Sequence, residues 1–168
     1  HNDNISRNWG VEGDTTDQQI LNYRFRSMKN FLATVAFSQG VPMLSHGDEL
    51  ARTQKGNNNA YAQDNETTWV DWDLDWRRTE LRDYTRRILA IRHAHPVLRR
   101  MRFLHGAYSC ARGIKDITWF TPGGMEKTPE QWMDPVARCI GVLLNGQAGP
   151  GMDLRGSLIE DDLLLIIL

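Results

Sequence analysis

The chain has 168 residues, with 20 Lys+Arg against 21 Asp+Glu and a formal net charge of -1, so no broad field favours a nucleic acid or another polyanion. With 40% hydrophobic and 24% charged residues and a mean hydropathy of -0.51, the composition is globular, neither disordered nor membrane-spanning. The longest apolar run, Leu163 to Leu168, falls far short of the ~20 residues a membrane helix needs.

Taken in order, His1 to Asp14 is rich in Asn, Gly and charge and reads as a loop. Thr16 with Gln19 three residues on is a capping-box pattern. Leu21, Phe25, Met28, Leu32 and Val35 then recur at helical spacing, which predicts one buried stripe with Arg24, Arg26 and Lys29 elsewhere on the surface. Gly40 is expected to end this helix. The run Val41-Pro42-Met43-Leu44 lacks polar alternation, as does a strand covered on both faces of a parallel sheet.

That run opens into Ser45-His46-Gly47-Asp48-Glu49 and a long loop carrying Asn57, Asn58, Asn59, Tyr61, Gln63, Asp64 and Asn65, then Trp69, Trp72 and Trp76. A buried strand that ends in carboxylates, carboxamides and aromatics is where an α/β barrel keeps its substrate. We read the stretch as one wall of a sugar site. Carboxamides supply directional donors and acceptors to hydroxyls, and a Tyr or Trp face covers the apolar side of a sugar ring. Consecutive Asn side chains also bond to their own backbone and shape loops, so the residues carry both readings.

A second helix is expected to begin near Asp75 to Thr79, with Leu81, Tyr84, Ile88 and Ile91 on one face, and to stop before Pro96. From Met101 on, short apolar runs separated by Gly and Pro predict strands at Met101 to Leu104, Ile117 to Phe120, Cys139 to Leu144 and Leu163 to Leu168. Thr128 to Trp132 reads as one capped helical turn with Pro129 at its first position.

The other candidates have plainer readings. Adjacent Asp48 and Glu49 point to opposite sides of an extended chain and do not converge on one substrate atom; a structural role, hydrogen-bonding barrel loops or pairing with Arg52, is the better expectation. His46 with Asp48 lacks further ligands at metal spacing. Trp69, Trp72 and Trp76 are expected to be packing anchors. Arg86-Arg87 and Arg99-Arg100 read as solvated helix faces, and His93 and His95 as cations suited to a helix C-terminus. Cys110 and Cys139 have neither metal nor redox spacing; as free thiols they suit a reducing compartment, and a cytoplasmic location is expected.

The segment Ser38 to Glu49, followed by Arg52-Thr53-Gln54, Gly56 to Tyr61, Gln63-Asp64-Asn65, Trp69 and Asp71-Trp72, resembles the eighth barrel strand and its loop in the glycogen debranching and isoamylase branch of the α-amylase superfamily. Asn4 to Gly13 is similar to that family's N-x-S-x-N-x-G-x-E-G pattern ahead of the seventh barrel helix. Asp116 to Phe120, Trp132 to Pro135 and Leu144-Asn145-Gly146 resemble segments of its C-terminal β domain. Two positions depart from the family's usual residues, Trp9 and Ala62.

The resemblance implies an α/β fold: the C-terminal part of a (β/α)8 TIM barrel over residues 1–100, then an incomplete all-β sandwich domain over 101–168. It implies that the parent enzyme hydrolyses α-1,6 branch linkages in glycogen or a related α-glucan by a retaining mechanism with two carboxylates. In this superfamily the catalytic carboxylates come from earlier barrel strands. None is expected within this chain, and His1 and Asp3 are assigned no catalytic role because Asp3 directly precedes the Asn4 motif. With no Met at position 1 and an end inside an apolar run, the chain reads as an internal fragment whose partner is the missing N-terminal part of the same protein. No cofactor or metal is implied. Two alternatives remain: an isoamylase-type relative in trehalose or starch metabolism, and a non-catalytic glucan-binding or structural fragment.

Overall fold

The structure is a computed structural model that describes residues 6–106, 108, 113–148, 151–152, 156 and 158–168. His1, Asp3, Asn4, Ile5 and Cys110 lie outside the described residues. The chain divides into two compact units, one of residues 1–38 and 42–91, the other of 39–41 and 92–168. Among the described residues no helix is long and apolar enough to cross a membrane.

The first unit is a pair of helices and a long polar loop. Helix α1, Gln18–Phe37, starts on Asp17, whose carboxylate accepts hydrogen bonds from the Gln19 and Ile20 N–H groups at 2.8 and 3.2 Å. The expected Thr16–Gln19 box does not form, because a charged carboxylate one residue later satisfies the helix's first donors more strongly. The helix ends at Ser38, two residues before Gly40, with the Ser38 N–H and hydroxyl both on the Thr34 carbonyl at 2.9 and 2.5 Å.

Helix α2, Trp76–Ala94, begins and stops where the sequence predicts. Leu32 and Ala36 of α1 form the core with Leu81 and Ile88 of α2, and Phe25, Met28 and Tyr84 pack against them. Val35 and Ile91, both expected in buried stripes, are exposed. On α1 the inward position four residues after Leu32 belongs to Ala36, as a 3.6-residue period requires.

Val41 to Leu44 is not a strand. Val41 is 95% exposed and Met43 89%, the reverse of the doubly covered stave expected. A parallel strand takes its hydrogen bonds from neighbouring strands, and every described strand lies after residue 116. The run therefore has the composition of a buried strand without the neighbours that make one.

The second unit holds the sheet. Strands β1 (Ile117–Phe120), β2 (Gly141–Asn145) and β5 (Leu163–Ile167) pair antiparallel in the order β1-β2-β5. A separate two-stranded ribbon joins β3 (Gly151–Met152) and β4 (Leu158–Ile159). The expectation at Ile117 to Phe120 holds to the residue, and those at Cys139 and Leu163 shift by a residue or two. Met101 to Leu104 forms no strand; the Gln39 side chain instead bonds to the Arg102 carbonyl and the Leu104 N–H at 2.7 and 3.3 Å. The expected helical turn is a 3-10 turn over Glu130–Met133, with Pro129 just ahead of it.

Three polar fasteners hold this unit. Asp161, its side chain 7% exposed, accepts from the Val97 and Asp162 N–H groups at 2.8 Å each and lies 3.0 Å from His95 Nδ1. Arg100 donates to the Asn145 and Gly146 carbonyls. Arg99 donates to the Arg92 and His93 carbonyls at 3.0 and 2.9 Å. Arg99 is exposed, as expected of a solvated face, whereas Arg100 is half-buried. Arg99 covers the carbonyls that the end of α2 leaves without intrahelical partners.

Candidate functional site

From Ala51 to Glu80 no residue is buried, so apolar packing does not set the path of this loop. Hydrogen bonds must. Asn57 Oδ1 accepts the Asn59 N–H at 3.0 Å, Asn59 Oδ1 the Tyr61 N–H at 3.2 Å, and Asn65 Oδ1 the Thr67 N–H at 2.9 Å. Each is an Asx turn, in which a side-chain carbonyl stands in for a backbone one and bends the chain two residues on. Asn57 Nδ2 also reaches Gln63 Oε1 at 3.4 Å, and the Thr68 hydroxyl donates to the Gln63 carbonyl at 2.6 Å.

The loop-shaping reading holds for three of the Asn residues. Asn57, Asn59 and Asn65 spend their carbonyl oxygens on the loop's own backbone. Asn58 is exposed and Tyr61 is 87% exposed, and these two sit at the tip. Lys55 and Ala62 adopt left-handed backbone, with φ of 52° and 58°, a conformation that costs an L-residue about 1 kcal/mol or more. The loop is thus held away from its locally preferred shape by its bonds.

The tryptophans are not packing anchors. Trp69, Trp72 and Trp76 are all more than half exposed. Trp69 Nε1 donates to Asp64 Oδ1 at 2.7 Å, which fixes both the indole and one carboxylate oxygen at the rim. Sequence reasoning treated Asp64 and Trp69 apart; their five-residue separation carries no periodic signal.

Nor do Asp48 and Glu49 pair with Arg52. They lie in a 3-10 turn, Asp48–Leu50, where Glu49 Oε2 accepts the Gly47 N–H at 3.1 Å. Arg52 instead donates to the His46 carbonyl at 3.0 Å and the Thr67 carbonyl at 3.2 Å, joining the loop's two ends. Gly47 is required here, since its φ is 86° and an added Cβ would lie 2.8 Å from the Arg52 side chain. His46 Nε2 lies 3.1 Å from the Thr68 carbonyl, a contact between the loop's two ends.

A second arginine performs the larger closure. Arg78, in the first turn of α2, donates through Nε to the Leu50 carbonyl at 3.0 Å and through Nη1 to Asp71 Oδ2 at 2.8 Å and the Asp73 carbonyl at 3.0 Å. Its Nη2 reaches the Asp71 carbonyl at 2.6 Å. The Asp73 N–H and then the Arg78 guanidinium hold the Asp71 carboxyl below its ordinary pKa of 3.8. Arg52, Lys55, Glu66, Trp69, Asp71 and Arg78 are among the residues lining a cleft of about 540 Å³ beside the rim.

Among the described residues one group has metal-like proximity. Donor atoms of His95, Asp161 and Asp162 all lie within 4.8 Å of one another. Both Asp161 oxygens already accept backbone N–H groups, so the group reads as a fastener. Cys139 is a free, half-buried thiol.

No family model matches the chain. It is 45% identical over 164 residues to a "Glycogen operon protein GlgX homolog" of Mycobacterium bovis, covering 97% of this chain and 23% of that protein. It is 37% identical over 144 residues to a "Glycogen debranching enzyme" of Pectobacterium carotovorum, covering 86% and 20%. With "Isoamylase 3, chloroplastic" of Oryza sativa it shares 41% over 119 residues, covering 70% and 14%. Its fold matches part of a pullulanase from Paenibacillus barengoltzii, solved with maltotetraose, at a TM-score of 0.55 and 23% identity over 91% of this chain and 19% of that one.

The fold is therefore that of a segment of the pullulanase structure, bearing a polar, aromatic rim. Over most of its length the chain is similar to segments of proteins named as a glycogen operon protein GlgX homolog, a glycogen debranching enzyme and an isoamylase. It spans under a quarter of the length of the relatives it matches.

Proposed function

We propose that the protein containing this chain hydrolyses α-1,6 branch linkages in a glycogen-like α-glucan, and that residues 57–65 are a glucan-contact rim set apart from its catalytic carboxylates. The observation that supports the activity is the 37% identity over 86% of the chain with a relative named for glycogen debranching, beside 45% over 97% with one named for the glycogen operon. In this reading residues 1–100 are the closing part of a (β/α)8 barrel and 101–168 part of a β-sandwich. Val41 to Leu44 then becomes a stave only beside the strands of the remaining polypeptide. The reaction is retaining, with a carboxylate nucleophile and a carboxylic acid close together, both supplied from outside this chain. The enzyme is cytoplasmic, which cell fractionation tests.

The rim reading rests on exposure. Asn58 and Tyr61 stand in solvent at the tip of a loop whose other Asn side chains are occupied in shaping it. An aromatic face beside amide donors suits a glucose ring, apolar on its faces and ringed by hydroxyls. In the complete enzyme, Tyr61→Ala should raise KM for branched glucan about tenfold, the scale of one lost ring contact, with kcat little changed. New reducing ends released from glycogen are the measure of turnover. A Tyr61→Ala enzyme with unaltered KM would remove the rim from the substrate path.

A further inference from the structure

We infer that Arg78 is a positioning residue for this rim: by tying Leu50, ahead of the loop, to Asp71 and Asp73, behind it, its guanidinium sets the geometry in which residues 57–65 meet the glucan. The inference rests on the rim reading above and adds to it the device that holds the rim in place.

Three observations carry it. No residue between Leu50 and Leu81 is fully buried and in this stretch only Ala51 packs against the apolar core, so the ordering of the loop leans on polar bonds. Arg78 is rooted where the structure is firmest. Its own N–H bonds to Asp75 Oδ1 at 2.8 Å at the start of α2, and Leu81, one turn on, has no exposed surface. Finally, its four bonds run to three residues on both sides of the loop, at 2.6 to 3.0 Å.

A planar guanidinium with donors in a fixed fork makes such a set, whereas a lysine ammonium is a point charge on a flexible stem. Arg52 makes a second closure of the same loop, from the His46 carbonyl to the Thr67 carbonyl. The two arginines thus leave the tip as a preformed surface. Preformed loops lose less entropy on binding, and the benefit is read in affinity.

The test uses the complete enzyme with Arg78→Met, Arg78→Lys and, as reference, Tyr61→Ala. Kinetics on branched glucan are measured together with amide hydrogen exchange. We expect Arg78→Met to raise KM about tenfold with kcat within about twofold, as loss of preorganised binding does. Arg78→Lys should fail to rescue it, because an ammonium keeps the charge beside Asp71 but not the fork. Exchange should quicken at residues 53–68 and stay slow at 81–91 in both variants.

Full rescue by lysine would reduce the interaction to a simple ion pair and overturn the inference. So would faster exchange with an unchanged KM, or an equal fall in kcat that marks general loss of structure. If Tyr61→Ala leaves KM unchanged, the rim reading fails and takes this one with it; if Tyr61→Ala raises KM and Arg78→Met does not, this one fails alone.

Discussion

Leu81 has no exposed surface and meets Leu32, Ala36 and Ile88 at the centre of the first unit's core. Leu81→Ala should destabilise that unit by about 2–5 kcal/mol, the range for removing a buried leucine and leaving a partly relaxed cavity. Loss of α-helical circular dichroism in a urea titration measures it. Asp161 gives the corresponding prediction for the second unit. Burial opposes its charge, but the Val97 N–H, His95 and the Asp162 N–H together hold its pKa below the ordinary 3.8. A carboxylate depressed by folding adds stability that is complete above its unfolded pKa and is lost as pH falls through its folded one. Unfolding of the β unit, followed through Trp119 fluorescence, should therefore be flat in pH above about 5 and weaken below 3.8. In Asp161→Asn that part of the acid dependence should vanish.

At the scale of elements, Asp17 is the clearest lever. It satisfies two of the donors at the start of α1, and Asp17→Ala should cost about 1 kcal/mol, with exchange rising only in the first turn of the helix. The same position shows what was legible in the sequence. A 3.6-residue apolar repeat located both helices, because a stripe of burial is written directly in residue order. The cap was displaced by one residue, since Thr16 and Asp17 are both good caps and only geometry selects between them. Ile117 to Phe120 was legible because its partner, β2, lies within the chain. Val41 to Leu44 was not, because a strand is a relation between segments and here the second segment is missing from the described unit. For the loop, the sequence showed its polar and aromatic composition but not which of these side chains shape it. Which Asn shapes the loop and which faces solvent depends on Asx geometry. That Arg78 reaches back to Leu50, 28 residues away, leaves no local trace.

For the whole molecule, the question is what covers the apolar side chains that neither unit buries. Phe31, Val41, Met43 and Met101 are each more than 70% exposed, and burying a side chain of this kind is worth roughly 1.5–3 kcal/mol. Soluble chains rarely leave such residues open in number unless a partner surface meets them, and the relatives are more than four times as long as the aligned segment. Expressed alone, the chain should therefore bind a hydrophobic dye strongly and self-associate with rising concentration. Val41→Thr with Met43→Thr should lower both signals, because these two are among the most exposed apolar side chains. The isolated chain should also release no reducing ends from glycogen. Under the function proposed above, adding the remaining polypeptide should suppress dye binding and restore turnover together, since in that reading one docking event covers Val41 to Leu44 and brings residues 57–65 to the catalytic carboxylates. A monodisperse chain indifferent to the dye, or one that cleaves glycogen by itself, would show that these surfaces and this chemistry are complete without a partner.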